Sequence, residues 1–188
     1  MGRYVACLRN FMRHKREVRK ACWKVGLFWR GLKHDLSRFT PTEFISYARF
    51  HYDRDGSKRN VRDATGRYDP FADPLIAASL AHHVHCNDHH WQHWAHVGDD
   101  GTIVLLEMPR RAVLEMFCDW WGAGRAQGSK VYPVEWYAKN RQYVHVHPAT
   151  RDLIEKELPR FERFMLNAKT SGFSDEGFCY TPFWSRSQ

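Results

Sequence analysis

The chain has 188 residues, 43% of them hydrophobic and 27% charged, enough apolar material for one domain with its own core. No apolar run approaches the roughly 18 residues that a membrane-crossing helix needs, and the basic N-terminus lacks the apolar stretch and cleavage site of a secretory signal. The net charge of +8 points to anionic partners: phosphorylated metabolites, nucleotides or nucleic acid. Five cysteines without a CxxC pair argue against a disulfide framework or a zinc knuckle and fit a reducing cytoplasm.

Val5, Leu8, Phe11, Val18, Cys22 and Val25 recur at helical spacing, which predicts an amphipathic helix over residues 4–29. His14 lies near that stripe, three after Phe11 and four before Val18, and is expected to point inward. A turn at Gly31 leads to Lys33-His34-Asp35-Leu36. Thr40-Pro41-Thr42-Glu43 reads as a capping box opening a helix through Phe44, Tyr47 and Phe50. Residues 52–71 are polar and contain glycine, and read as a long binding loop or lid. Asp73-Pro74 opens a helix expected to run through the histidine cluster to about His96.

Residues 97–101 read as a turn, followed by a short extended piece at Thr102–Leu106. Pro109 opens a helix that carries Asp119, and residues 122–128 are glycine-rich and expected to be a flexible connection. Pro133 and Pro148 open the last two helices, with Pro159 a candidate kink in the second. The expected architecture is all-α, one helical domain of about six helices over residues 1–168, with a C-terminal tail at 169–188.

The chemistry lies in the histidines and aspartates. The chain carries, in order, His14, His34-Asp35, a cluster from His82 to His90, and Asp119. Adjacent residues on a helix point about 100° apart, so His34 and Asp35 reach one ion only over the groove between them or near a helix end. Within one continuous helix, His83 and His90 are two turns apart, about 10.5 Å, and one ion takes both only if the helix breaks between them. Two ions, each completed from another helix, are the alternative. Asp119 sits among apolar residues, where an acid needs a partner or a metal.

These segments also resemble a family. His14-Lys15, His34 to Phe39, His82 to Trp91, Asp119-Trp120 and Trp136 to Asn140 match recurring motifs of a family of uncharacterised bacterial and phage proteins distantly related to HD domains. Arg38 stands where lysine is commoner. The resemblance covers most of residues 8–160 and implies an HD-domain-like helical fold. It also implies phosphohydrolase chemistry on nucleotides or other phosphate esters, with di-iron oxygenase chemistry as the rarer branch. In that reading His14, His34, Asp35 and Asp119 hold a first divalent ion, and His83 and His90 a second or the orientation of the first. The metal is iron, manganese, zinc or magnesium.

His82 or His89 is then the expected general acid. Lys15, Lys33, Arg38 and Lys139 are the expected contacts to an anionic, phosphorylated substrate. A basic nucleic-acid-binding helical protein is the remaining alternative, with tryptophans, tyrosines and positive charge as the contact groups.

Overall fold

The buried stripe of the first helix runs Cys7, Phe11, Val18, Ala21, Cys22 and Val25, while Val5 and Leu8 are exposed. The computed structural model describes residues 2–61 and 73–170. Among them are seven α-helices: α1 (Gly2–Lys24), α2 (Phe28–Lys33), α3 (Pro41–His51), α4 (Pro74–Cys86), α5 (Arg110–Gln127), α6 (Pro133–Asn140) and α7 (Pro148–Thr170). A small antiparallel hairpin, β1 (Ala95–Val97) and β2 (Ile103–Leu105), completes an all-α architecture. No described helix is long and apolar enough to cross a membrane.

α1 packs chiefly against α5, and the two share one apolar core with α6 and α7. Val18, Cys22, Phe117, Trp121, Ile154 and Phe161 are its centre. Full burial of one such side chain stabilises the fold by about 1.5–3 kcal/mol. A second, smaller core joins the start of α1 to α3 through Cys7, Phe11, Ala48 and Tyr52. His14 falls on α1 between Phe11 and Val18, at the junction of the two cores.

Four local expectations are corrected. The turn after α1 is at Gly26, whose φ of 79° suits glycine, and not at Gly31. Gly31 lies inside α2 and against Cys22, where an added Cβ would come within 2.7 Å of the cysteine Cβ. Residues 122–127 continue α5, which ends at Gly128 with φ 69°. Gly122 is required there because an added Cβ would lie 2.7 Å from the Val18 backbone nitrogen. α4 stops at Cys86, and residues expected to continue it form a turn, a 3-10 segment over Trp91–Trp94 and β1.

Finally, Thr40 makes no side-chain cap on α3, and the Glu43 carboxylate turns inward instead of closing a capping box. Pro41 does open α3, and the Asp73 side chain caps α4 by accepting from Leu75 N–H at 2.8 Å. Pro159 is accommodated within α7. The expected loop or lid lies outside the described residues from 62 to its end, as does the tail after Thr170.

Candidate metal centre

Four short segments bring the side chains together. His14 comes from the middle of α1. His34 is the residue that closes α2, and Asp35 follows it with φ 53°, the one left-handed non-glycine residue among those described. That conformation costs about 1–3 kcal/mol and persists where the surroundings over-determine it. Here it swings the Asp35 carboxylate back toward the His34 ring: Oδ2 lies 3.7 Å from His34 Nε2 and 3.5 Å from His14 Nε2. The helix end thus removes the 100° divergence that a continuous helix would impose.

The third segment is the break after α4. The Asn87 amide donates to the His83 carbonyl at 2.8 Å and to Ser37 Oγ at 2.7 Å, capping the helix end and tying it to the His34-Asp35 turn. Trp94 Nε1–H donates to Asp88 O at 2.8 Å and closes the loop. The chain reversal brings His90 Nε2 to 2.9 Å from His83 Nε2. His89 swings into the interior and is 2% exposed. Its Nε2 lies 3.4 Å from Asp35 Oδ1. The fourth segment is α5, whose Glu115 and Asp119 share one face at i, i+4 spacing. Asp119 Oδ1 lies 3.1 Å from His14 Nε2 and 3.5 Å from His34 Nε2.

The donor atoms fall into groups that could hold a metal ion: His14, His34 and Asp119; Asp35, His83 and His90; His89, His90 and Asp119; and His34, His89 and Glu115. Asp35 stands between the first two, with Oδ2 toward His14 and His34, and Oδ1 3.6 Å from His83 and 3.4 Å from His89. Behind these histidines are two carboxylates, Glu115 and Glu43, outside the expected site residues. Glu115 Oε1 accepts from His34 Nδ1 at 2.9 Å, and Glu43 Oε2 accepts from His83 Nδ1 at 2.9 Å. A carboxylate can only accept, so each ring carries its hydrogen on Nδ1 and turns Nε2 to the centre. Metal-binding histidines are held this way. Arg30 in turn pairs with Glu115 and Asp88.

The electrostatics follow. Burial pushes the Asp35 carboxyl up, but the His34 and Arg38 charges and the bond to His14 outweigh it and hold it well below the usual range. Burial also opposes ionisation of Asp119, and its bonds to His14 and His34 overcome that. Burial lowers the His34 pKa, yet the surrounding carboxylates raise it to about 10. His90 moves the other way: burial and its histidine neighbours hold it well below its ordinary value, so it is a neutral donor. Asp35 Oδ1 and His89 Nε2 are buried and make no hydrogen bond. Orphaned atoms of this kind, one anionic and one an imidazole nitrogen, fit a divalent cation.

The other expected site residues are placed as follows. Arg38 is in the centre, its Nε 2.5 Å from Asp35 Oδ2 and its Nη2 3.1 Å from His83 Nε2. Lys15 donates to the carbonyls of Leu32 and His34 at 2.9 and 2.6 Å, so it braces the turn and is not directed at a ligand. Lys33 is exposed and lines an opening beside His34, His89 and Glu115. Lys139 pairs with Glu135 on the exposed face of α6 and lines neither opening onto the centre. His82 sits on the far side of Glu43, bonded to Oε1 at 2.7 Å, and also lines neither opening.

A pocket of about 230 Å³ opens directly onto the centre. His14, Asp119 and Arg38 form its floor, and Phe11, Tyr47, Phe50 and Ile76 its apolar wall. Buried His51 is the further histidine that lines it. Glu115 was legible as an acid one helical turn before Asp119. Glu43 and His51 carried no signal that separated them from a cap and a helix terminus.

No curated protein and no solved structure matches the chain. A family model described as a family of unknown function, DUF5662, matches residues 4–160. The chain belongs to that family.

Proposed function

We propose that the protein is a metal-dependent phosphohydrolase acting on a phosphate ester, with a site of the HD-domain kind. The observation that carries the reading is the pair of carboxylate-backed histidines, His34 on Glu115 and His83 on Glu43, that turn Nε2 toward a shared Asp35. His14, His34 and Asp119, with Asp35 beside them, would hold one ion, and Asp35, His83 and His90 would hold a second once Arg38 leaves His83. A bound divalent cation supplies Lewis acidity and lowers the pKa of a coordinated water toward neutrality.

The residues of the chain do the rest. The Arg38 guanidinium, at the pocket floor, neutralises charge on the phosphoryl oxygens. The apolar wall holds the alcohol portion and excludes competing water. The phosphorus–oxygen ester bond breaks as water oxygen bonds to phosphorus, and the leaving oxygen takes a proton. His51 lines this pocket and His82 does not, so His51 is the proposed donor. Arg38 and the positive surface favour an anionic substrate over the uncharged one an oxygenase would accept.

The test is metal analysis of protein purified without added metal, beside the His34→Ala and Asp35→Ala variants, followed by a phosphate-release screen. Bound iron, manganese or zinc that both variants lose, together with metal-dependent phosphate release, is the expected result. Iron with oxygen-dependent turnover and no phosphate release would replace the hydrolase reading with the oxygenase one. No metal and no tight uptake would overturn both.

A further inference from the structure

The pocket on the metal centre is the inner end of a longer groove. Three concavities meet at Asn10 and Gln127. The inner one carries the donors and the aromatic wall. The next, about 140 Å³, continues past Tyr47 and His51 to Lys58 and Arg59. The third adds Arg9 and Arg13. Among the described residues, no carboxylate lines either outer concavity.

The outer cations come from two separate elements that converge. Arg9 and Arg13 project from α1, while Lys58 and Arg59 follow α3. The second segment is held in place. Tyr52 bridges Lys58 in antiparallel fashion, and Arg59 N–H donates to His51 O at 2.9 Å. Gly56, with φ 98°, packs against Gly2, where an added Cβ would lie 2.9 Å from the Gly2 oxygen. Arg13 is oriented by its bond to Ala126 O at 3.3 Å. The exposed Arg59 guanidinium reaches Arg49 O at 3.4 Å and lies 3.8 Å from Asp53 Oδ1. Guanidinium groups gathered at the end of a groove suit a phosphate, which they grip in bidentate fashion.

We infer that the substrate is a small bisphosphorylated molecule: one phosphate at the metal centre, an apolar or aromatic body along Phe11 and Tyr47, and a second phosphate at Arg13, Lys58 and Arg59. The inference rests on the phosphohydrolase reading. Phe11 and Tyr47 line the stretch between the two charged ends, beside Asn10, His51 and Gln127, and a single phosphate at the metal centre leaves the outer cations without a ligand group. A substrate with charge at one end only would gain nothing from that end of the groove.

The experiment is calorimetric titration of the full chain loaded with manganese, using alkyl monophosphates and a homologous series of α,ω-alkanediol bisphosphates as probes. One length of bisphosphate is expected to bind about a hundredfold tighter than the matching monophosphate, because its second contact becomes intramolecular. In the combined Arg13→Ala, Lys58→Ala and Arg59→Ala variant that ratio falls to near one. A ratio near one at every length in the wild-type protein overturns the inference, and so does a ratio the variant leaves unchanged. The wild-type series decides the matter alone if the variant does not fold. Failure of the chain to take up manganese would instead sink the phosphohydrolase reading, so the two failures are told apart.

Discussion

Asp35 Oδ1 and His89 Nε2 face each other at 3.4 Å in the protein interior, and neither makes a hydrogen bond. Leaving one such buried polar atom unsatisfied costs about 1–3 kcal/mol, and more for a charged one. A cation between the histidines and Asp35 removes that cost. Metal at a hundredfold excess over its dissociation constant is therefore expected to stabilise the fold by about 2.7 kcal/mol. For a chain of this size that raises Tm by roughly 5–10 °C. Thermal melts of chelator-treated protein, with and without manganese, iron(II) or zinc, measure the shift. Asp35→Asn should abolish most of it. An unchanged Tm with every metal would mean the centre binds none.

Metal uptake should release protons. Despite its burial, His34 is held at about 10 by Asp35, Asp119 and Glu115, and His14 is raised by Asp119 and Asp35 after burial opposes it. At pH 7 the ion-free His34 therefore carries a proton on the nitrogen that must bind metal. Binding displaces it, so affinity rises about tenfold per pH unit for each proton lost, and the His34 contribution flattens above about 10. Titrations in buffers of different ionisation enthalpy count the protons directly. A count of zero at pH 7 would remove His34 from the ligand set.

Arg38 is expected to limit how many ions the centre takes. Its guanidinium bonds to His83 Nε2, a nitrogen the second ion would use, and to Asp35 Oδ2 on the side of His14 and His34. Wild-type protein is expected to hold one ion tightly, at His14, His34, Asp35 and Asp119. Arg38→Met frees His83 and Asp35, and should raise the bound metal toward a second equivalent. Elemental analysis after desalting reads the stoichiometry. The same variant should lose phosphate affinity. Two tight ions in the wild type would show that the guanidinium moves aside without cost.

The candidate donors were legible because they lie at marked places in the sequence: His14 on a helical stripe, His34-Asp35 near a predicted turn, Asp119 as an acid among apolar residues. The break after Cys86 was not, because residues 82–96 contain neither proline nor glycine. It is made by Asn87, whose amide competes for the His83 carbonyl through a contact with distant Ser37. Glu43 misled for a related reason. Its position suits a capping box, but the fold offers it two histidines, and burial beside their rings outweighs one bond to a backbone N–H. The glycines at 122 and 124 read as flexible by composition. The crossing of α1 and α5 makes Gly122 a packing residue inside a helix.

The carboxylates behind the rings give a prediction that separates orientation from ligation. Glu115→Gln and Glu43→Gln keep the side-chain shape but weaken the acceptor that fixes Nδ1–H on His34 and on His83. Each should lower metal affinity about 10–100-fold. The losses should differ in kind. Glu115→Gln acts on the first ion through His34, and also leaves Arg30 short of a partner, so it should destabilise the fold as well. Glu43→Gln acts through His83 and His82, away from the first ion. Competition against a fluorescent chelator reports the affinities. Equal affinity in wild type and both variants would show that the rings are held by packing alone.

His51 provides the sharpest division between binding and chemistry. It lines the pocket, is 4% exposed, packs tilted against Tyr47 with ring centroids 3.9 Å apart, and belongs to none of the metal-holding groups. If it protonates the leaving oxygen, His51→Gln should reduce kcat by about 10²–10⁴ and leave the bound metal unchanged. The loss should shrink for esters whose alcohol is acidic, such as a nitrophenyl phosphate, because a good leaving group needs no proton. His82→Gln, beyond Glu43, should show neither the loss nor the leaving-group dependence. A uniform loss across leaving groups in His51→Gln would instead assign that ring to substrate positioning.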